Sequence, residues 1–297
     1  ENLQKTVEEY PPERASQITG VAAEDIIEAA RLYARADKAM IIYGLGITEH
    51  TTGTSNVMSL GNLAMLTGNV GRRSTGIMPL RGQNNVQGAC DMGALPNVHV
   101  GYQPVTDAGI RSKFEEAWKV ALPSVPGQTS TQMIERNPGK EIRGLYILGE
   151  DPAHTEPDTN RVRSTLESLD FLVVQEIFPT ETTRFADVIL PAASFAECDG
   201  TFTNGERRIQ RVRKAIPALC GQENWRTICQ IAQRMGYPMS YGHPSDIMDE
   251  IASLAPMFAG VKFDRLDDGG LQWPIPSLDH PGTETLHAES FSCGLGR

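Results

Sequence analysis

The chain has 297 residues, of which 40% are hydrophobic and 22% charged, a composition typical of soluble globular domains. Its net charge of −10 argues against a nucleic-acid-binding surface and against binding to an anionic membrane. No stretch approaches the roughly 20 apolar residues that span a bilayer. The start of the chain also lacks a secretion signal, so we expect a cytoplasmic protein without membrane insertion.

The first third of the chain predicts a strand between two helices. From Thr19 to Tyr33, apolar residues recur at helical spacing and indicate an amphipathic helix. Residues 39–43 form a short apolar run that Gly44 ends, as expected of a buried parallel strand. A second helix is predicted over residues 55–66.

The same strand–loop–helix order repeats further along the chain. A buried strand is predicted at residues 144–148, another strand at 171–177, and a short strand that Pro191 ends at 187–190. A helix is predicted at 160–168, and a helix or turn at 180–186. Because strands alternate with helices, the sequence predicts an α/β fold with parallel sheets.

The remaining regions are less regular. Residues 84–143 are rich in Gly, Asn, Gln and Pro and are expected to wrap over a site. Helices are predicted at 224–235 and 245–254, and the tail from Val261 is predicted to be loop-rich.

The cysteines show no metal-binding spacing. They are odd in number, widely separated and contain no CxxC pair, so neither a zinc site nor an iron–sulfur site is visible. We interpret them as reduced thiols, most of them packed in the interior: Cys90, Cys198, Cys220, Cys229 and Cys293.

A glycine-containing segment follows the first predicted strand. Gly44-Leu-Gly46 precedes a helix, where backbone N–H groups could approach a phosphate. Glu49 occupies the position of the third glycine in the dinucleotide-binding pattern, which argues against a nicotinamide site. A plain strand-to-helix turn explains the segment equally well.

The segment Arg81-Gly-Gln-Asn-Asn-Val-Gln-Gly-Ala-Cys-Asp-Met-Gly93 combines three glycines, four amides, one arginine and one aspartate. Such a loop offers donors and acceptors to an anionic ligand that is rich in heteroatoms. The alternative is a solvated loop whose amides only cap turns. The concentration of amides near a lone arginine favours the ligand-binding interpretation.

Polar residues follow the second set of predicted strands. Asp151 comes directly after one strand and Gln175 ends the next, where α/β sheets bind ligands. We expect their side chains to line one cleft together with Asn224. The alternative for the first position is a helix N-cap, formed by Asp151 or Thr155.

Two adjacent arginines allow two interpretations. Arg207 and Arg208 could face phosphates, or they could pair with Glu206 at the surface. Surface pairing is slightly favoured.

Taken in order, these motifs resemble the catalytic subunit of molybdenum- or tungsten-dependent formate dehydrogenases, within the molybdopterin oxidoreductase family. The resemblance covers essentially the whole chain, and residues 81–93 match the formate dehydrogenase form of the motif. It rests on the following segments: residues 61–71, 81–93, 149–152, 186–191, 200–204 and 206–208.

The resemblance implies two Rossmann-like, doubly wound lobes and part of a smaller α+β layer. It implies a molybdenum (or tungsten) centre held by two molybdopterin guanine dinucleotides. Arg81 aligns with the arginine that holds the formate carboxylate, a role that suits a planar guanidinium. The positions implied to contact the cofactor are Leu45, Glu49, Gln83, Asp151, Thr155, Gln175, Ala192 and Asn224.

The resemblance also implies that the chain is an internal fragment. The family's cysteine-rich iron–sulfur module, the segment carrying the metal-bound cysteine or selenocysteine, and the C-terminal barrel are not in this sequence. No residue of this chain is therefore predicted to ligate the metal. We predict that residues 1–83 belong to one α/β domain, 84–195 to a second, and 196–297 to a segment that joins the iron–sulfur side.

The implied activity is oxidation of formate to CO2, with electrons passing to iron–sulfur clusters and to partner subunits of the iron–sulfur, diaphorase or hydrogenase type. The isolated fragment is expected to be inactive. Two alternatives remain: an oxidoreductase of the same family with another substrate, which the Arg81 motif disfavours, or a non-catalytic nucleotide-binding module.

Overall fold

A computed structural model describes residues 2–135 and 141–291, and it divides into two compact units. One unit comprises residues up to 82 together with those from 284 onward, and the other comprises residues 83–283. The expected three-part division, with boundaries after residues 83 and 195, stays a prediction.

In the first unit, which we call the discontinuous unit, the described residues form five helices and a two-stranded parallel sheet. Strands β1 and β2 pair in register from Met40↔Gly76 to Tyr43↔Pro79. The parallel strand predicted at residues 39–43 is thereby confirmed, but its predicted burial is wrong, because Met40 and Ile42 are 40% and 57% exposed. The elements are α1 (Asn2–Glu8), α2 (Pro12–Thr19), α3 (Ala23–Arg35), β1 (Met40–Tyr43), α4 (Leu45–Thr48), α5 (Gly53–Leu66) and β2 (Gly76–Pro79).

The helix predicted from Thr19 begins later, at Ala23. Thr19 is instead the last residue of α2, and Gly20 ends that helix with a left-handed φ of 76°. Glycine adopts this conformation without the steric cost that a Cβ would add. The predicted helix therefore corresponds to α3 with a later start, and α2, which precedes the glycine stop, was not predicted.

The last described residues return to the discontinuous unit. Gly71 has a φ of 71°, and a Cβ at this position would overlap the carbonyl oxygen of His287. The two backbones therefore meet closely at a point where only glycine fits.

The second unit, which we call the continuous unit, begins with more helix than predicted. The described residues of the segment 84–143, which was expected to be irregular, form three helices. The helix over Ala108–Trp118 is well capped, because the Asp107 carboxylate accepts hydrogen bonds from the N–H groups of Gly109 and Ile110 at 2.8 and 3.0 Å. The elements are α6 (Val86–Asp91), β3 (Val98–His99), β4 (Gln103–Pro104), α7 (Ala108–Trp118) and α8 (Ser130–Glu135).

A three-stranded parallel sheet forms the α/β part of the continuous unit. Its order is β5-β6-β7, and all three predicted strands are confirmed. The burial predicted for β5 is wrong, because Tyr146 and Leu148 are 42% and 40% exposed. Alternate residues of β6, Leu172 and Val174, pack against Val162 and Leu166 of the adjacent helix. The elements are β5 (Gly144–Leu148), α9 (Pro152–Thr155), α10 (Thr159–Ser168), β6 (Phe171–Glu176) and β7 (Val188–Pro191).

The sequence after residue 196 contains an antiparallel sheet that was not predicted. Its order is β10-β9-β8, and β8 and β9 form a hairpin across the turn at residues 204–207. The two helices predicted in this region are confirmed. The elements are β8 (Gly200–Thr203), β9 (Arg208–Val212), α11 (Asn224–Arg234), α12 (Pro244–Leu254) and β10 (Leu271–Gln272).

The main hydrophobic core of the continuous unit joins α7, β9 and the tail. Phe114, Ile209, Phe258, Leu266 and Ile275 are all fully or almost fully buried in it. Burying side chains of this size contributes about 1.5–3 kcal/mol each. The loop-rich tail is therefore part of the folded core.

Cys229 is buried, whereas Cys90, Cys198 and Cys220 are half-buried, and Cys293 lies outside the described residues. The prediction that most cysteines are packed in the interior is thus fully met by one of the four described residues, Cys229. Over residues 2–135 and 141–291, no helix is both long and apolar enough to cross a membrane.

Candidate active-site and cofactor-binding residues

The carboxyl edge of the β5-β6-β7 sheet brings several predicted residues together. The Gly149 N–H donates to the carbonyl of Gln175 at 3.0 Å, and the Ala192 N–H donates to the carbonyl of Glu176 at 3.0 Å. The segments that leave the three strands are thus bonded side by side. Asp151, Gln175 and Ala192 all lie at or just beyond this edge.

Asp151 is held by a residue that was not predicted. Its Oδ1 accepts hydrogen bonds from the backbone N–H of Thr182 at 2.8 Å and from the Thr182 hydroxyl at 2.6 Å. Burial acts to raise the pKa of Asp151, but the bonds from Thr182 outweigh it and hold this pKa below its usual value. Asp151 is therefore an ionised, half-buried acceptor in a fixed orientation.

The alternative role of Asp151 or Thr155 as a helix N-cap is not realised by either side chain. Asp151 occupies the N-cap position of α9, yet its carboxylate makes no capping bond. The Thr155 hydroxyl is exposed and donates back to the carbonyl of Asp151 at 3.1 Å. The Asp151 carboxylate is thus directed to Thr182, and Thr155 lies on the solvent side of the same turn.

Gln175 and Asn224 are in direct contact. Gln175 is fully buried, and its amide donates to Asn224 Oδ1 at 3.1 Å. The Tyr146 hydroxyl donates to Gln175 Oε1. Asn224 accepts from the N–H of Ala193 at 2.7 Å and donates to its carbonyl at 2.8 Å.

This arrangement limits what Gln175 can do. Its amide is bonded on both sides and has no exposed surface, so a ligand could reach it only if neighbouring groups moved. Tyr146, which the sequence did not single out, is 42% exposed beside it. Direct contact of Gln175 with a cofactor stays a prediction, as does that of Asn224 and of Ala192, whose N–H is already bonded.

In the discontinuous unit, the predicted cofactor contacts Leu45 and Glu49 are both exposed and flank the one-turn helix α4. The Glu49 N–H donates to the carbonyl of Leu45 at 2.9 Å, which closes this turn. A helix of four residues aligns few peptide dipoles, so its N-terminus attracts an anion less than a long helix would. This geometry favours the interpretation of Gly44-Leu-Gly46 as a plain strand-to-helix turn.

Arg81 and Gln83 are exposed at the start of the long motif. Arg81 follows β2, whose end is fixed by a 2.7 Å hydrogen bond from the Leu80 N–H to the carbonyl of Tyr43. Within the part of the chain that the structure describes, the Arg81 guanidinium makes no ion pair or hydrogen bond. Its planar fork is therefore available to an anion.

The rest of the motif is occupied by protein contacts. Asn85 Oδ1 accepts a hydrogen bond from the N–H of Thr203 at 2.9 Å, and the Gln87 amide donates to the buried Asp91 carboxylate at 2.8 Å. These two amides therefore bond to other parts of the protein rather than cap solvated turns. The interpretation of the motif as a ligand-binding loop stays a prediction.

The two arginines of the β8–β9 turn behave differently from each other. Arg208 pairs with Glu206 at 3.0 Å, which confirms the favoured interpretation. Arg207 is directed inward and donates to the backbone carbonyls of Trp273 and Thr283, the latter at 3.0 Å. Neither surface pairing nor phosphate binding describes Arg207, because backbone acceptors inside the unit hold it.

Among the described residues, no group of three His, Cys, Asp or Glu side chains could hold a metal ion. A model of one protein family, molybdopterin oxidoreductase, matches residues 9–234. The chain belongs to the molybdopterin oxidoreductase family.

Named relatives of this molybdopterin oxidoreductase chain include formate dehydrogenases. It is 49% identical over 300 residues to the F420-dependent formate dehydrogenase subunit alpha of Methanocaldococcus jannaschii, covering 100% of the chain and 44% of the relative. It is 45% identical over 301 residues to formate dehydrogenase H of Escherichia coli, and the match covers 100% of the chain and 42% of that relative. The chain thus spans less than half the length of these relatives.

A solved structure supports the fold. The acetylene hydratase of Pelobacter acetylenicus superposes with a TM-score of 0.64 at 14% identity, covering 92% of this chain and 40% of that protein. The α/β class is therefore confirmed.

Family membership implies a molybdopterin cofactor, and the residues at the sheet edge fit such a group. The Asp151 carboxylate is ionised and reachable, so it can accept hydrogen bonds from the N–H edge of a fused heterocycle. The exposed amide of Gln83 adds a group that can both donate and accept.

Proposed function

We propose that this chain is the part of a formate dehydrogenase catalytic subunit that binds the guanine dinucleotide arms of a bis-molybdopterin cofactor and supplies the arginine for formate. The observation that carries the proposal is the exposed guanidinium of Arg81, which pairs with no other residue that the structure describes, in a chain with formate dehydrogenase relatives.

Arg81 would bind and orient the substrate. A guanidinium presents two parallel N–H donors that match both oxygens of a carboxylate. Held in this way, formate exposes its C–H bond in one fixed direction while its charge is neutralised. Oxidation releases CO2, one proton and two electrons.

The cofactor would be held mainly through its nucleotide arms. The Asp151 carboxylate, fixed by Thr182, would accept from the guanine N–H edge, and Gln83 would contact the same cofactor. Thr155, Gln175, Ala192 and Asn224 would border this arm, and Leu45 and Glu49 the other. When bound, a molybdenum or tungsten centre would supply two-electron redox chemistry.

The remaining parts of the proposal follow from this role. Residues 1–83 and 84–195 would each contribute to one cofactor arm, and residues 196–297 would join the side of the protein that holds an iron–sulfur cluster. Iron–sulfur, diaphorase or hydrogenase-type subunits would accept the electrons. The complete protein would be cytoplasmic.

The test is Arg81→Lys in the complete protein that contains this chain. Lysine keeps the charge but loses the planar fork, and a misplacement of about 1 Å can cost roughly 10²-fold in rate. We expect formate turnover per bound metal to fall by that order while metal content is retained. Arg73→Lys, at another exposed arginine, is the matched control and should leave both values unchanged.

Two results would reject the proposal. Turnover of Arg81→Lys close to wild type, per bound metal, would remove the substrate role of this residue. Absence of formate oxidation by the metal-loaded wild-type protein would reject the activity itself.

A further inference from the structure

Thr182 joins the Asp151 carboxylate to the helix that carries Thr155. It has no exposed surface. Its hydroxyl and its backbone N–H both donate to Asp151 Oδ1, at 2.6 and 2.8 Å. The same hydroxyl accepts from the N–H of Ala153 at 3.1 Å. One buried side chain of the continuous unit therefore bonds both the carboxylate and the first turn of α9.

The position of Thr182 does not depend on these bonds alone. Thr182 begins a short 3-10 helix that ends at Phe185. The Thr183 hydroxyl donates to the carbonyl of Thr180 at 2.7 Å and accepts from its N–H at 3.0 Å. Phe185 packs against the hydrophobic core between α10 and the parallel sheet. The segment that carries Thr182 is thus fixed on both sides of this residue.

Two donors on one oxygen leave the Asp151 carboxylate a single orientation. The terminal torsion of an aspartate is broad and roughly two-fold, so a carboxylate without such donors rotates. Both Thr182 bonds end on Oδ1, and Oδ2 receives neither of them. A carboxylate has about four acceptor sites. Asp151 therefore keeps acceptor sites for a ligand, which can reach it because it is only half-buried.

The same bonds keep the carboxylate ionised. Burial acts to raise the pKa of Asp151, but the hydrogen bonds from Thr182 act to lower it. The N–H of Glu181 and the charge of His154 act in the same direction as Thr182, and the resulting pKa lies below its usual value. An ionised carboxylate can only accept hydrogen bonds, so it favours ligands that present N–H or O–H donors.

These bonds serve the carboxylate rather than the helix that follows it. An aspartate at an N-cap position stabilises its helix by accepting from the first N–H groups of that helix. Asp151 occupies this position of α9, but its side chain makes no capping bond and bonds Thr182 instead. The carboxylate is thus held in a direction that the stability of α9 does not require.

We propose that Thr182 is a positioning residue, which holds Asp151 so that its remaining acceptor sites meet both adjacent N–H groups of a guanine base. Guanine presents the N1–H and the 2-amino group side by side, whereas hypoxanthine presents the N1–H alone. Thr182 would therefore determine how strongly the site prefers guanine. The inference rests on the proposed function, in which Asp151 binds the guanine of one dinucleotide arm.

The experiment titrates guanosine and inosine into the complete protein, produced in a host that makes no molybdopterin, and follows binding by nuclear magnetic resonance. The wild type should bind guanosine roughly 10-fold more tightly than inosine. Thr182→Val removes the hydroxyl and keeps the shape. It should raise the Kd for guanosine roughly 10-fold and lower the preference to about 2-fold or less. Thr182→Ser keeps the hydroxyl and should retain the preference.

The pH dependence of guanosine binding gives a second measurement. Guanosine carries no phosphate, so no phosphate of the probe titrates. Without the hydroxyl bond, burial is less opposed and the carboxylate takes up its proton at higher pH. Binding by Thr182→Val should therefore be lost at higher pH than binding by the wild type. Titration of His154 cancels in this comparison, because both proteins contain it. The same holds for Glu181, which pairs with Arg163 and Arg184 at 3.8 and 3.0 Å.

A matched control separates positioning from general destabilisation. The hydroxyl of Thr165, also buried in the continuous unit, donates to the carbonyl of Ile134 at 2.6 Å. Thr165→Val should lower the unfolding temperature without changing the preference for guanosine or its pH dependence. An equal loss of preference in Thr165→Val and Thr182→Val would overturn the proposal.

A milder variant keeps the test decisive if Thr182→Val does not fold. Thr182→Cys retains a weak donor and a weak acceptor at the same position, and we expect the preference to fall roughly 2- to 5-fold. An unchanged preference in Thr182→Cys, or in a folded Thr182→Val, would overturn the inference while the proposed function stands. A wild type that binds no guanosine would instead reject the proposed binding of the nucleotide arm.

Discussion

Thr182→Val should destabilise the continuous unit by about 3 kcal/mol, because one hydroxyl serves two partners. It donates to Asp151 Oδ1 at 2.6 Å and accepts from the backbone N–H of Ala153 at 3.1 Å. Valine has nearly the same shape as threonine, so the substitution opens no cavity. The loss of stability in Thr182→Val therefore measures the contribution of the two hydrogen bonds.

The magnitude follows from the surroundings of each bond. A hydrogen bond to a charged group contributes about 1.5–3 kcal/mol, and a buried donor left unpaired costs about 1–3 kcal/mol. Asp151 is only half-buried, so water replaces part of the first contribution. Ala153 is 1% exposed, so the second applies nearly in full. The bond from the Thr182 N–H to Asp151 survives in the variant.

Urea unfolding at pH 7, followed by far-ultraviolet circular dichroism, measures the difference. Thr182→Ser is the control, because it keeps the hydroxyl and loses one methyl group, at a cost of about 1 kcal/mol. A Thr182→Val variant no less stable than Thr182→Ser would refute the assignment of both bonds.

Lowering the pH should reduce the difference in unfolding free energy between wild type and Thr182→Val. The pKa of Asp151 is lowered in the folded protein, so its contribution is fully present above its unfolded pKa of about 3.9 and is lost as pH falls through the folded pKa. The gap should stay constant from about pH 7 to 5 and shrink below about pH 4. A gap that widens in acid would contradict the role of the ionised carboxylate.

Three further substitutions test the fold. Gly270→Ala should prevent folding or lower the free energy of unfolding several times more than Gly269→Ala. Both glycines have a positive φ, but only a Cβ at Gly270 would overlap the Ile209 carbonyl. Expression yield and urea unfolding compare the two variants. Phe114→Ala should cost about 3–5 kcal/mol in the same assay, since this ring is fully buried in the core. Lys119→Gly should stabilise by up to about 1 kcal/mol, seen as a higher thermal midpoint, because Lys119 ends α7 at a φ of 57°.

The parallel strands could be predicted because their signal is local. Residues 144–148 and 171–176 are short apolar runs between polar loops, a pattern typical of strands in parallel sheets, although alternate residues of β5 are exposed here. The antiparallel hairpin also carried a signal, the alternation of Phe202 and Ile209 with polar neighbours. The segment was interpreted as a polar turn because threonines, arginines and turn-forming residues surround the few apolar positions.

The partners of the motif residues could not be predicted because they are distant in sequence. Asp91 bonds Trp273, 182 residues away, and Asn85 bonds Thr203, 118 residues away. Local sequence shows that Asn85 can accept a hydrogen bond, but only the tertiary fold determines from which donor. Exposed residues such as Arg81 are easier to assign, because their position in the motif already indicates their chemistry.

The close backbone approach of Gly71 and His287 has a consequence for the order of synthesis. The discontinuous unit cannot complete this contact until the ribosome has translated the whole continuous unit, which is about 200 residues long and takes on the order of 10–40 s at cellular elongation rates. During that interval the nascent chain carries α5 and the β1–β2 pair without their last segment. Met58, Leu66 and Ile42 are exposed in the complete fold as well, so during this interval the unit presents at least these apolar side chains to solvent.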